Sequence, residues 1–331
     1  MKTQLFRLIK PLLLTFFSFL LITACQGLVT QKTNTSIGQL ATESECRVIQ
    51  HRLGETCVPI QSRRIVALDI PAILDSLLAL GIKPVGTTVD SWGSGRYFPA
   101  LVPEMVAGIE SVGTGGTSSL EKIFKLKPDL ILLPDYFAQN YKQLSNIAPT
   151  VLIDIFNVKA PIEETFRYIA QLVGQERKAE EVLEQYQKRI EEFQSLLGDR
   201  LEGLEVSVIT YYDGNFWFEP SHASYFQVFQ DIGLPIKPVF FEKNEWFTFS
   251  IEVIDQYDAD ILFIIDNPST AAEYLSQEPL ILSLEAVKNG RAYIVDPNMW
   301  SFYGPIGMNL FLDDLSKYLL KGKQDLYFQK S

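Results

Sequence analysis

The chain has few of the residues from which metal centres and nucleic-acid surfaces are built. Its 331 residues include only two histidines, His51 and His222, and three cysteines, Cys25, Cys46 and Cys57. A protein metal centre needs several converging histidine, cysteine or carboxylate ligands, so the sequence argues against a histidine-rich one. Its 29 lysines and arginines are outnumbered by 40 acidic residues, for a formal net charge of −11. Nucleic-acid and anionic-lipid surfaces need a basic patch, so neither is expected as a partner.

The sequence also lacks a recognisable catalytic motif. It contains no Gly-x-Ser-x-Gly segment of the kind found in α/β hydrolases, and neither histidine lies in a recognisable catalytic context. We therefore expect no enzyme. What is present is an ordinary globular composition, with 47% hydrophobic and 21% charged residues. The length is compatible with about two domains, each with its own core.

The first 24 residues are typical of an export signal. A basic start precedes an apolar stretch over residues 12–22, and the small residues Thr23 and Ala24 follow it. The apolar stretch is shorter than the about 20 residues that a membrane-spanning helix needs. A short retained anchor is the alternative.

The segment 21–25, Leu-Ile-Thr-Ala-Cys, resembles the lipobox of bacterial lipoproteins. In that group of proteins the cysteine is acylated and becomes the first residue after cleavage. The resemblance implies a lipidated Cys25 that anchors the chain to a membrane, in the periplasm or on the outer cell surface. Two or more acyl chains give stable anchoring, whereas a single chain gives only marginal binding.

Cys46 and Cys57 flank a short segment in which Leu53 and Gly54 can form a turn. Exported proteins form disulfides, so we predict a Cys46–Cys57 bridge that closes a hairpin. A loop this short contributes about 2–3 kcal/mol in the chain-entropy description. Two unpaired thiols are the alternative, and a metal site with His51 lacks a fourth ligand nearby.

Strand and helix patterns alternate along the rest of the chain. Apolar runs such as 65–68, 130–133 and 261–265 predict buried strands, and amphipathic segments between them predict helices. This alternation predicts an α/β fold with mostly parallel sheets covered on both faces. The predicted domains are a signal peptide (residues 1–24), a lipid-anchored tether with the Cys46–Cys57 hairpin (25–60), an N-terminal α/β lobe (61–174), a linking helix (175–199) and a C-terminal α/β lobe (200–331).

Several short segments, in the same order, resemble the helical-backbone periplasmic binding proteins of ABC importers. In the N-terminal half they include residues 77–86, Leu-Leu-Ala-Leu-Gly-Ile-Lys-Pro-Val-Gly, and residues 119–123, Ser-Leu-Glu-Lys-Ile. In the C-terminal half they include residues 284–290, Leu-Glu-Ala-Val-Lys-Asn-Gly. The resemblance is strongest to the iron–siderophore subgroup, and it runs from about Arg47 to Leu320.

The resemblance implies two lobes around a ligand cleft, joined by a helix that permits only small hinge motions. It implies a monomeric receptor that captures a ferric siderophore and delivers it to membrane permease subunits. No cofactor is implied, because the siderophore supplies the iron ligands. Cobalamin or haem is the alternative ligand, and Tyr97, Tyr212 or His222 is a candidate haem ligand in that case.

One predicted cleft loop carries Trp92, Arg96 and Tyr97. A guanidinium between two aromatic rings suits an anionic, partly aromatic ferric chelate, because it pairs with carboxylate or catecholate oxygens while the rings stack. An ordinary surface loop is the alternative.

Further ligand contacts are predicted near other strand ends. Thr114 lies beside a glycine-rich turn and a helix N-terminus, which favours negative charge. The C-terminal candidates are aromatic residues that we expect to form a wall of the cleft: Tyr212, Trp217, Trp246, Trp300 and Tyr303.

Glu121 and Glu252 each stand at the start of a predicted helix, one in each lobe. In the family, such a pair faces arginines of the permease, so the resemblance implies a docking role here. Simple helix capping, worth about 0.5–1 kcal/mol, is the alternative, and both roles can coexist.

Overall fold

The computed structural model describes residues 46–89, 101, 103–115, 117–155, 160–212, 214–220, 223–266 and 273–320. They belong to one structural unit, Ser44–Ser331. The predicted signal peptide, Cys25 and the first part of the tether lie outside the described residues.

The strands are β1 (Cys46–His51), β2 (Gly54–Pro59), β3 (Ile65–Ala67), β4 (Gly86–Val89), β5 (Glu110–Thr114), β6 (Thr117–Ser118), β7 (Leu130–Pro134), β8 (Thr150–Ile153), β9 (Val206–Tyr212), β10 (Asn215–Phe218), β11 (Phe247–Phe249), β12 (Ile261–Ile265) and β13 (Ala292–Val295).

Helices separate most of these strands. They are α1 (Asp75–Ala79), α2 (Pro103–Val106), α3 (Leu120–Lys125), α4 (Tyr141–Leu144), α5 (Ile162–Val173), α6 (Glu176–Leu197), α7 (Ser224–Asp231), α8 (Val239–Glu242), α9 (Pro279–Leu282), α10 (Glu285–Lys288), α11 (Pro297–Trp300) and α12 (Pro305–Leu319). A π-helical turn, Ile70–Leu74, leads into α1, and 3₁₀ helices occupy Asp135–Asn140, Gly198–Leu201 and Ile251–Tyr257. Among the described residues, no helix combines the length and apolar character needed to cross a membrane.

The N-terminal lobe is built on a six-stranded sheet with the order β6-β5-β4-β3-β7-β8. All neighbouring strands are parallel except β5 and β6. Every residue of β7, an interior strand between β3 and β8, is buried, because helices cover both faces of a parallel sheet. Leu130 and Leu132 pack towards α5, while Ile131 and Leu133 pack in a separate cluster on the other face.

The β1–β2 hairpin packs against this lobe. Its strands pair in register from Cys46 opposite Pro59 to His51 opposite Gly54. Ile49 and Val58 join the core formed by β3, β7 and β8. The hairpin thus extends the N-terminal lobe, whereas the sequence assigned it to the tether. The Cα atoms of Cys46 and Cys57 are 5.5 Å apart, within the range that a disulfide requires.

The C-terminal lobe is built on a five-stranded sheet with the order β11-β10-β9-β12-β13. Strands β9, β12 and β13 are parallel, and β10 runs antiparallel to both of its neighbours. Its core is rich in aromatic rings, including Phe229, Phe263 and Phe311. This mixed α/β arrangement in two lobes confirms the predicted fold class.

The long helix α6 connects the two lobes. It follows Gly174, whose φ of 69° ends α5 in the left-handed conformation that glycine adopts without strain. Ala179 and Leu183, in its first half, pack in the N-terminal core, and Ile190 and Phe193, in its second half, pack in the C-terminal core. The apolar residues of α6, which recur at helical spacing, therefore contribute to the cores of both lobes. The precise lobe limits given above stay predictions.

Candidate functional site

The carboxyl ends of the parallel strands in the N-terminal lobe bring several polar residues to one sheet edge. Asp69 follows β3, Thr114 ends β5, and Asp135 and Tyr136 follow β7. Thr114 is partly buried, and its hydroxyl lies 2.6 Å from that of Thr117 in the turn between β5 and β6.

Asp69 organises this edge. Its buried carboxylate accepts the N–H groups of Ala72 and Ile73, each at 2.8 Å, and so caps the π-helical turn after β3. It also accepts a hydrogen bond from the Tyr136 hydroxyl. Burial raises the pKa of Asp69, and these hydrogen bonds oppose the rise. Burial and the charge on Asp69 raise the pKa of Tyr136, so its hydroxyl stays a donor at neutral pH. Sequence reasoning missed Asp69, although an aspartate directly after a buried strand is a usable signal.

In the C-terminal lobe, the carboxyl end of β9 presents aromatic side chains. Tyr212 is 52% exposed, and Tyr211 stacks on Tyr274 with ring centroids 5.3 Å apart. On β10, Phe216 and Phe218 point into the core, and Trp217 between them lies on the other face of the sheet. The Trp217 Nε1 is buried and has no hydrogen-bond partner within the described residues.

A second carboxyl group, that of the partly buried Glu219, follows β10. Glu219 accepts hydrogen bonds from the hydroxyls of Thr210, at 2.5 Å, and Tyr225, at 3.0 Å. Burial raises the pKa of Glu219, while both hydrogen bonds lower it. Sequence reasoning missed this residue too, because nothing in its local sequence distinguishes it from a surface glutamate.

Tyr303 lies where the two lobes meet. Burial, and then the charges on Glu219 of the C-terminal lobe and Asp69 of the N-terminal lobe, raise the pKa of its hydroxyl, which a hydrogen bond with Ser224 partly offsets. Its backbone N–H donates to the carbonyl oxygen of Pro71 at 3.0 Å. Of the predicted contacts, Tyr303 is therefore one that the structure brings to the junction between the lobes.

Trp300 requires a correction. Its ring is only 2% exposed and contacts Phe263 and Phe311, with centroids 4.8 Å away in each case. Its Nε1 donates to the Asp314 side chain at 3.2 Å. An indole that packs among aromatic rings and whose N–H is bonded within the core is a core residue, so we remove Trp300 from the candidate ligand contacts.

Trp246 is 47% exposed and precedes β11. Because β11 pairs with β10 so that Phe249 lies opposite Phe216, Trp246 stands at the end of its strand remote from Tyr212. Tyr212 and Trp246, both predicted to line the same wall of the cleft, thus lie towards opposite ends of the sheet. Trp92, Arg96, Tyr97 and His222 lie outside the described residues.

Glu121 and Glu252 both occupy the first turn of a helix, as predicted. Ser119 caps α3 by accepting the N–H of Lys122, and Ser250 caps the 3₁₀ helix by accepting the N–H of Glu252. The serines therefore provide the side-chain caps, and the Glu121 carboxylate instead pairs with Lys125 at 2.6 Å. Both glutamates are exposed. Within the described ranges, no group of three or more histidine, cysteine or acidic side chains is arranged to hold a metal ion.

Comparison with known proteins gives full-length matches. The chain is 30% identical to the probable siderophore-binding lipoprotein YfiY of Bacillus subtilis, over 95% of this chain and 99% of that one. It is also 30% identical to the Fe(3+)-citrate-binding protein YfmC of B. subtilis, over 91% of this chain and 93% of that one.

The fold is shared with solved structures. The crystal structure of Staphylococcus aureus SirA complexed with staphyloferrin B superimposes with a TM-score of 0.70 at 26% sequence identity, covering 82% of this chain and 98% of that one. The family model described as periplasmic binding protein matches residues 65–299, a range that spans both sheets and the linking helix. With its two α/β lobes, its single connecting helix and these full-length similarities, the chain belongs to the periplasmic binding protein family.

Proposed function

We propose that this chain captures an iron(III)–siderophore complex outside the cytoplasm and delivers it to the permease of an ABC importer. The observation that carries the proposal is similarity along nearly the whole chain to proteins named for siderophore and ferric-citrate binding. The similarity to SirA in its complex with staphyloferrin B supports the same ligand class. The protein acts as a receptor and not as an enzyme.

The ligand lies between the lobes, at the carboxyl ends of the sheets. The contacts we propose from the described residues are Thr114, Tyr212, Trp217 and Tyr303. Trp246 precedes β11, which runs parallel to β9, so it lies away from this end of the sheet and is left out of the proposed contacts. The partial exposure of Trp217 supports its assignment as a contact, because its side chain lies on the face of β10 opposite the core residues Phe216 and Phe218. Since the chelator surrounds the iron, these side chains recognise only its organic periphery.

The loop that carries Trp92, Arg96 and Tyr97 completes the site in this proposal. The guanidinium of Arg96 supplies positive charge to the site, because the charged groups at the described strand ends include the carboxyl groups of Asp69, Asp135 and Glu219. An arginine facing an anionic chelate therefore provides the main charge complementarity of the site.

The remaining parts of the proposal concern location and delivery. Cys25 carries the lipid that anchors a monomeric receptor to the membrane, after removal of residues 1–24. Cys46 and Cys57 form a disulfide that closes the β1–β2 hairpin. Glu121 and Glu252 dock the two lobes onto permease arginines, and their exposure on separate lobes supports that role.

Tryptophan fluorescence tests the ligand class. The purified chain is titrated with ferric hydroxamates, ferric catecholates, ferric citrate, cobalamin and hemin. We expect saturable quenching by at least one ferric siderophore, because the proposal assigns Trp92 and Trp217 to the ligand site. Saturation by cobalamin alone, or by hemin alone with a Soret band, would move the chain to another ligand class.

A further inference from the structure

A buried aspartate of the N-terminal lobe caps a helix of the C-terminal lobe. Asp75, the first residue of α1, is only 2% exposed. Its Oδ1 accepts the N–H of Ile306 at 2.9 Å, and its Oδ2 accepts the N–H of Gly307 at 2.7 Å. Both N–H groups lie in the first turn of α12, where a helix has no internal acceptors for them. A side chain from one lobe therefore completes the start of a helix in the other.

The main chain joins the lobes beside this cap. The N–H of Tyr303 donates to the Pro71 carbonyl oxygen at 3.0 Å. Gly304, the residue before α12, leaves no space for a side chain, because a Cβ placed there would overlap the Asp75 carboxylate. Glycine at this position is what allows the two lobes to approach so closely.

Helix α12 is also bound to the linking helix. Arg189 of α6 donates to the Asn309 side-chain oxygen at 2.8 Å and to the Asn309 carbonyl oxygen at 3.2 Å. It forms an ion pair with Asp313 as well. Further along α12, Met308, Phe311 and Leu315 are embedded in the C-terminal core. The helix is thus anchored in its own lobe, and its first turn contacts the other lobe through Asp75.

These contacts give the lobes a connection besides the covalent one through α6. Rotation of the lobes about α6 would pull the first turn of α12 away from Asp75. Two buried N–H groups and a buried carboxylate would then lose their partners, which strongly disfavours the motion.

We propose that Asp75 is a positioning residue that holds the two lobes in one mutual orientation through the first turn of α12. The inference does not depend on the identity of the ligand. Its test uses no ligand, so it stands or fails independently of the proposed function.

Distances between spin labels on the two lobes measure this role. Spin-labelled unnatural amino acids replace Gln143 on α4 and Gln230 on α7, two exposed side chains, in the full-length chain. We expect a single narrow distance distribution for the parent protein. The Asp75→Ala variant should lose that narrow maximum and give a broader distribution.

A matched control separates lobe orientation from general loss of a cap. Asp258 accepts the N–H groups of Glu285, at 2.6 Å, and Ala286, at 3.3 Å, and so caps α10 entirely within the C-terminal lobe. Asp258→Ala should therefore keep the narrow distribution, although it removes the same chemistry.

A second variant covers the case in which Asp75→Ala does not fold. Gly304→Ala keeps every capping atom but introduces a methyl group against the carboxylate, and it should also broaden the distribution. The proposal is wrong if the folded variants Asp75→Ala or Gly304→Ala retain the parent distribution. It is equally wrong if Asp258→Ala broadens the distribution as much as they do.

Discussion

The Tyr225 hydroxyl donates a hydrogen bond to the partly buried Glu219 at 3.0 Å in the C-terminal lobe. The Thr210 hydroxyl donates to the same carboxyl group at 2.5 Å. Burial nevertheless outweighs both bonds and raises the pKa of Glu219. The ionised form of this glutamate is therefore more costly in the folded protein than in the unfolded chain.

This pKa shift has a definite sign for stability. A carboxyl group with a raised folded pKa contributes most favourably at low pH, and that contribution is lost as the pH rises from about 4.5 through the folded pKa. Glu219→Gln removes the titration and keeps groups that can bond both hydroxyls. We predict that the free energy of unfolding of the variant, relative to wild type, increases with pH by about 1.4 kcal/mol per unit of pKa shift. Urea denaturation at a series of pH values measures it, and a difference independent of pH would contradict the prediction.

Anchoring is tested at Cys25. Cys25→Ser should leave a precursor that is neither cleaved nor acylated, because the serine hydroxyl cannot replace the thiol as the acylated group. Metabolic labelling with palmitate, followed by immunoprecipitation, compares the variant with wild type. Equal labelling of the two proteins would remove the lipoprotein assignment.

The charge complementarity of the ligand site is tested at Arg96. If its guanidinium pairs with an anionic chelate in a partly desolvated cleft, Arg96→Ala weakens binding by about 1.5–3 kcal/mol, roughly ten- to over a hundredfold. Stability should change by less than about 0.5 kcal/mol, as for an exposed side chain. Arg177→Ala is the matched control, because Arg177 is 93% exposed on α6 and forms an ion pair with Glu181 of the same helix. Unchanged affinity in Arg96→Ala would place this arginine outside the site.

Variants of the two docking glutamates test delivery of the siderophore to the permease separately from its capture by the receptor. Replacing Glu121 and Glu252 with alanine removes one charge from each lobe and leaves the proposed ligand contacts intact. Loss of an interfacial charge pair costs several kcal/mol, so transport in cells should collapse, more in the double variant than in either single one. Ligand affinity of the purified protein should stay within about twofold of wild type, a change of no more than about 0.4 kcal/mol.

Glu285 provides the control for this experiment. It also stands in the first turn of a helix, is 68% exposed against 76% for Glu121, and pairs with Lys288 as Glu121 pairs with Lys125. Glu285→Ala should transport normally. Normal transport by the Glu121 and Glu252 double variant would mean that these glutamates serve only their own helices, and lost affinity would mean that they lie near the ligand.

The sequence predicts the elements of the fold better than the contacts between them. Apolar runs such as the one at 130–133 identify buried strands, because a parallel sheet covered on both faces needs apolar residues at successive positions. The linking helix is visible for a similar reason, since its apolar residues recur at helical spacing.

The sequence predicts the residues of the ligand site less well than it predicts the elements of the fold. Trp300 follows β13 as Tyr212 ends β9, yet one indole is buried in the core and the other aromatic ring is exposed. Trp300 ends the helix α11, whereas Tyr212 belongs to its strand, and the local sequence does not show which of the two rings will be buried. Asp75 meets Ile306 across 231 positions, so no pattern within either segment reveals their contact.

The central claim is that the chain binds a ferric siderophore, and calorimetric titration with the best ligand of the fluorescence screen tests it most directly. The iron-loaded siderophore is compared with ferric iron supplied by a weak chelator that is not a siderophore. Hemin and cobalamin are titrated in the same way. We predict saturable binding of one ferric siderophore per chain. We predict no binding of ferric iron without a siderophore, since no resident metal site is expected. Saturable binding of hemin or cobalamin, with none of any ferric siderophore, would contradict it.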